Sequence, residues 1–235
     1  MRKSRKNNGF SLTEVLLGVG TLAVGMIFVA GVFPVGIYFA TTATERTIAA
    51  VVADEAFAKI RLYGESDLDF QIWLSAEPLG GCVDFNDVVA PNPDEFAYPS
   101  SYVTQKQYYW SALCRRIGDT RLVQVTVFVC RKIGPGPGPG AVQVGVSPVP
   151  GVGHENELTI GVPEDTPLIN DGYTIVDNES GRLYRVLERD VARPDTIILD
   201  RPWQGGPAGL VWVVPPPAGG GRYPCIAVYQ KVIGF

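Results

Sequence analysis

From Val15 to Thr44 the chain carries no charged side chain. The apolar heart of this stretch, residues 15–40, would span about 39 Å as a helix rising ~1.5 Å per residue, enough to cross a bilayer. Beyond Thr44 the pattern changes. Ile48, Val52, Ala56, Ile60 and Tyr63 recur at spacings of four or three among Glu45, Arg46, Asp54, Lys59 and Arg61. That period predicts an amphipathic continuation of the same helix, whose apolar stripe needs a sheet to cover it, with Gly64 as its cap.

The remaining pattern is that of strands. "YYWSALCRRIGDTRLVQVTVFVCRKIG" has two β-rich arms around Gly118, Asp119 and Thr120, which predicts a hairpin. After the "GPGPGPG" run at 134–140, "ELTIGV", "GYTIVDN", "GRLYRVLERD", "DTIILDRPW" and "GLVWVVPPP" read as five short strands of a small barrel-like or meander module. "PPPAGGG" then leads to "RYPCIAVYQKVIGF", which alternates like a terminal strand and is expected to return to the sheet of the hairpin. The module at 141–214 would then be an insertion; a tandem arrangement is the alternative. The expected fold class is α+β: a long N-terminal helix packed on an antiparallel sheet, with an inserted small all-β module.

The apolar run is interrupted by Gly18, Gly20, Gly25, Gly31, Gly36 and Pro34. Each glycine weakens a helix and Pro34 removes a backbone hydrogen bond, so a kink or melting point is expected around Pro34. No two of these glycines are four apart, so there is no G-x-x-x-G face. A single acid, Glu14, stands at the mouth of the run. Burying a carboxylate at the edge of a span costs free energy, which marks it as functional and in need of a partner.

Four cations, Arg2, Lys3, Arg5 and Lys6, precede the run and should remain cytoplasmic, placing the body beyond the membrane. The run is too long for an ordinary secretory signal. The whole chain is mildly acidic, with a net charge of −4, and has no basic patch beyond these cations, which gives no footprint for nucleic acid.

In "RKNNGFSLTEV" a basic leader, Gly9, Phe10, a hydroxyl residue, a leucine and Glu14 stand in register with the apolar span. This resembles the class III signal of type IV pilins and type II secretion pseudopilins, and "SLTEVLLGVGTLAVGM" is most similar to the minor members. The resemblance covers residues 1–64. It implies that a prepilin peptidase cuts after Gly9, removing residues 1–9, and methylates the new amino group of Phe10. It also implies that Glu14 pairs with the α-amino group of a neighbouring subunit's Phe10, and that Pro34 marks a segment able to unwind in a filament. The helix of 10–64, the loop and hairpin of 65–133 and the returning strand of 215–235 would form the pilin domain. The expected function is that of a minor pilin or pseudopilin subunit, whose partners are the peptidase, other pilins and the inner membrane. A pilus-tip adhesive module presented by the Gly/Pro hinges and an envelope anchor that never assembles are the alternatives.

Enzymatic chemistry finds no constellation. His154 is the only histidine and serves no G-x-S-x-G or H-E-x-x-H pattern, so it reads as a loop residue. Asp171 and Asp177 read as turn residues. Trp203 and Trp212 read as core, or else as an exposed recognition patch. Residues 65–95 hold eight acids and no Lys or Arg, but no calcium-loop pattern, and resemble a variable loop; no metal or cofactor is expected. Cys82, Cys114, Cys130 and Cys225 show no C-x-x-C spacing. A regular hairpin sets Cys114 opposite about residue 124 and Cys130 opposite about 108, some 20 Å apart, which disfavours that bridge and leaves the pairing open.

Overall fold

The computed structural model describes residues 11–76, 80–99, 106–118, 120–133, 140–217 and 223–235. The chain divides into two compact units, Met1–Thr47 and Ile48–Phe235. A single helix, α1 (Leu12–Ser66), contributes to both and is unbroken through Pro34. In the first unit its large apolar side chains are exposed on every side, from Val35 at 51% to Leu12 at 79%. A helix that is apolar all round suits a membrane or a crowded core. α1 is long and apolar enough to cross a membrane.

The second unit begins with the rest of α1, where Ala49, Val52, Ala53, Ala56, Phe57 and Ile60 are buried in one stripe. The three alanines let the helix lie close on a sheet. That sheet contains β1 (Val83–Asp84), β2 (Ala97–Tyr98), β3 (Tyr108–Arg116), β4 (Leu122–Arg131) and β11 (Cys225–Gly234). Its order is β1-β3-β4-β11, with β2 also on β3. Trp110, Ala112 and Cys114 of β3 and Val123, Val125, Val127 and Val129 of β4 meet the helix. Tyr109, Leu113, Phe128 and Cys130 point to the other face. β4 is thus covered on both faces, which is why "LVQVTVFVC" reads as a near-continuous apolar run. Cys114 pairs with Val125 and Cys130 with Tyr109, one residue from the expected partners.

Between β4 and β11 the chain builds a closed barrel from β5 (Val142–Pro148), β6 (Glu157–Ile160), β7 (Thr174–Asp177), β8 (Leu183–Arg189), β9 (Thr196–Leu199) and β10 (Gly209–Val213). The order is β10-β5-β6-β9-β8-β7. Val144, Val146, Leu158, Ile175, Val186, Ile197 and Val211 fill it, so side chains leave no lumen.

The α+β class holds, with a long apolar N-terminal helix and an antiparallel, β-rich body. Two expectations need correction. The inserted module has six strands rather than five: β5, overlooked between prolines and glycines, pairs with both β10 and β6 and closes the ring. This closed barrel is not a pilin-like sheet. Second, residues 65–76 and 80–95 are not simply a solvated loop. They form α2 (Leu68–Ser75) and α3 (Phe85–Val89), whose Phe70, Leu74, Phe85 and Val89 enter the core. Asp67 and Asp84 accept hydrogen bonds from the amides of Phe70 and Asn86, so these acids act as N-caps.

Candidate functional site

The sequence points to the start of α1. Gly9 and Phe10, the expected processing and methylation positions, lie outside the described residues. Ser11 precedes the helix, and its carbonyl accepts from the amides of Glu14 at 3.0 Å and Val15 at 3.2 Å. Its hydroxyl meets that of Thr13 at 2.7 Å. Glu14 is therefore in the first turn, where an acid interacts favourably with the helix dipole, and it is exposed.

Hydroxyl groups along the helix are satisfied internally. Thr21, Thr41, Thr42, Thr44 and Thr47 each donate to a carbonyl three or four residues back, at 2.8–3.0 Å. Such bonds hide polar groups that an apolar surrounding could not satisfy. Gly18, Thr21, Gly25, Ala30 and Pro34 line one shallow groove together with Leu22, Met26, Val29 and Phe33. Glu14 stands one turn before Gly18. A side chain at Gly18 or Gly25 would meet nothing within 4 Å.

The other sequence candidates have structural roles. Asp177 is 1% exposed and accepts from the amide and hydroxyl of Ser180, tying the "DNESG" turn. His154 Nδ1 lies 2.7 Å from Glu157, whose other oxygen is 2.7 Å from Arg193. These two partners hold the Glu157 carboxyl below its ordinary range. Arg193 continues to Asp190 at 2.7 Å. No nucleophile belongs to this network, which braces the β5–β6 loop against the β8–β9 loop. Asp171 is exposed in the turn before β7. Trp203 packs on Tyr184 and donates to Gly206, while Trp212 is 8% exposed and donates to Asn178 at 2.8 Å. Neither offers an exposed aromatic patch. Among the described residues no group of three or more His, Cys, Asp or Glu is placed to hold a metal ion.

The barrel is seated on the sheet rather than displayed away from it. Val176, Trp212 and Val214 join Tyr109, Leu113, Phe128 and Cys130 in one buried cluster. The turn after β7 supplies polar contacts: Asn178 O accepts from Cys82 N at 2.8 Å, Glu179 O from Arg115 Nε at 2.6 Å, and Gly181 O from Gln230 Nε2 at 2.7 Å. Sequence reasoning missed this joint, because its residues come from six separated segments. No family model, curated protein or solved structure matches this chain.

Proposed function

We propose that this chain is a minor pilin or pseudopilin subunit, anchored in the inner membrane before assembly with its N-terminus cytoplasmic and its body periplasmic. A prepilin peptidase removes the leader after Gly9 and methylates Phe10. The processed helix then enters a type IV pilus or a type II secretion pseudopilus. The observation that carries this reading is the class III signal "GFSLTEV" standing directly before a span whose only acid is Glu14. The continuous helix and its internally bonded threonines support the same reading.

In this reading Glu14 selects the register of assembly. An unpaired carboxylate at membrane depth costs roughly 2.5–3.5 kcal/mol on insertion scales, and attraction to a cation in low dielectric offsets much of it. The α-amino group of Phe10 on a neighbouring subunit is that cation. Pro34 leaves the carbonyl of Ala30 without its helical donor and so supplies a point where the helix can melt as subunits pack. The sheet with α1, α2 and α3 serves as the subunit head, and the docked barrel adds bulk suited to a subunit present in few copies.

Glu14→Ala tests the pairing. The variant should still be cleaved and should remain in membranes, while its recovery in sheared filaments drops roughly tenfold or more, the loss that about 1.4 kcal/mol brings. Equal recovery of variant and wild type would contradict the assembly role and favour a simple envelope anchor.

A further inference from the structure

Cys130 and Cys225 stand directly opposite each other on β4 and β11. The amide of Arg131 donates to the carbonyl of Pro224 at 2.8 Å. This makes 130·225 a non-hydrogen-bonded pair, the kind whose Cα atoms approach to about 4.5 Å. A disulfide spans Cα separations of about 4.4–6.8 Å. Both side chains lie on the barrel side of the sheet, in the same buried cluster, and the two thiols are within hydrogen-bonding reach.

The other cysteines do not compete. Cys114 faces the helix with Trp110 and Ala112. Cys82 adjoins Val83, the partner of Cys114, whereas Cys130 pairs with Tyr109. Five residues of β3 separate those rows, about 16 Å at ~3.3 Å per residue, beyond the reach of a bridge.

We propose that Cys130 and Cys225, free thiols in this structure, are joined as a disulfide in the exported protein, closing the neck between sheet and barrel. The chain leaves the sheet after β4, builds the barrel and returns at β11, so the bond encloses the whole barrel in one covalent loop. Its formation in the cell rests on the exported topology proposed above.

The oxidant is a disulfide, carried by a thiol–disulfide oxidoreductase or by glutathione. The Cys225 thiolate attacks one oxidant sulfur and expels the other as a thiolate. The Cys130 thiolate then attacks the Cys225 sulfur of the mixed disulfide and expels the second oxidant thiolate. Two electrons pass to the oxidant, and the two protons lost by the cysteines end on its thiols. Cys130 is fully buried, and Tyr223, stacked on Tyr173 at 3.7 Å, lies beside the pair. The bond must therefore form before β11 docks, and it is sealed from reductant afterwards.

Trypsin places the four cysteines on four different peptides, with Cys130 in 122–131 and Cys225 in 223–231. Full-length chain is taken from expressing cells into denaturant with N-ethylmaleimide and mapped by mass spectrometry without reduction. A parallel sample is reduced, refolded in detergent with glutathione disulfide and mapped alike. The expected result in both is peptide 122–131 linked to 223–231, lighter by two hydrogens than the sum of the thiol peptides, with Cys82 and Cys114 alkylated. A link in the refolded sample alone would overturn the exported placement while the pairing stands. Four alkylated cysteines in both samples, or a link to Cys82 or Cys114, would overturn the pairing itself.

Discussion

The two halves of α1 share one backbone conformation and need different surroundings. From residue 12 to 44 its large apolar residues face outward in every direction, and the only charged side chain is Glu14, while hydroxyls such as those of Thr21 and Thr44 turn back on the helix. From residue 48 to 66 one stripe of Ala49, Val52, Ala53, Ala56, Phe57 and Ile60 is buried, while Val51 and Leu62 stay exposed. Lys59 pairs with Glu55 at 2.9 Å on the flank of that stripe. Apart from the donor missing at Pro34, both halves are regular helix; side-chain distribution decides whether a helix asks for lipid and other helices or for a sheet.

A charge placed in each half should break this comparison most sharply. Ile60→Asp buries an unpaired carboxylate in the core and should cost about 4 kcal/mol or more, abolishing cooperative unfolding monitored by near-ultraviolet circular dichroism of the body's tryptophans. Ile27→Asp should leave that transition within about 0.5 kcal/mol, yet disfavour membrane insertion by about 3 kcal/mol, read by alkaline extraction of membranes. A common effect on both readouts would mean that the halves are not independent.

A smaller effect sharpens the account of the body as one unit. Gly181 has a φ of +67°, and a Cβ there would lie 2.7 Å from Oε1 of Gln124 on β4. Gly181→Ala should cost about 1–3 kcal/mol by straining the turn against the sheet. Gly145 has nothing within 4 Å of its Cβ position, so Gly145→Ala should change stability by under about 0.5 kcal/mol. Thermal unfolding of the two variants checks the difference.

The smallest effect lies on the outer loops of the barrel. His154 and Arg193 depress the Glu157 carboxyl below its ordinary value of 4.5. A carboxylate with a lowered folded value contributes stability above its unfolded value and loses it as pH falls through the folded one. Glu157→Gln should therefore melt slightly below wild type at neutral pH, and the gap should close as pH drops below 4.5. Paired melting curves across that range check it.

The sequence made the helix and the hairpin legible because each carries a strong period: Ile48, Val52, Ala56 and Ile60 for the stripe, and the two arms around Gly118 for the turn. The terminal strand was legible from its alternation, and the structure pairs it with β4 from Leu122 to Cys130. β5 was obscured because Gly145 and the flanking prolines imitate a linker, although Val142, Val144 and Val146 alternate correctly. Residues 65–95 looked like a solvated loop because charge counts weigh every acid alike. In the fold Asp67 and Asp84 cap helices and Glu95 accepts from the Tyr63 hydroxyl. The seat of the barrel and the opposition of Cys130 to Cys225 depend on registers between distant strands, which no local pattern encodes. At the candidate site the motif from Gly9 to Glu14 was readable in full, whereas the shallow groove between Gly18 and Pro34, lined by large and small residues alike, became visible only on the helix surface.

The central claim is that the N-terminal half of α1 is a processed assembly helix. Intact mass and N-terminal sequencing of the membrane-extracted protein, expressed with and without a prepilin peptidase, test it most directly. The account predicts a chain beginning at N-methylated Phe10 only when the peptidase is present. A chain that still begins at Met1 in its presence, or one cut near Ala43, would contradict it.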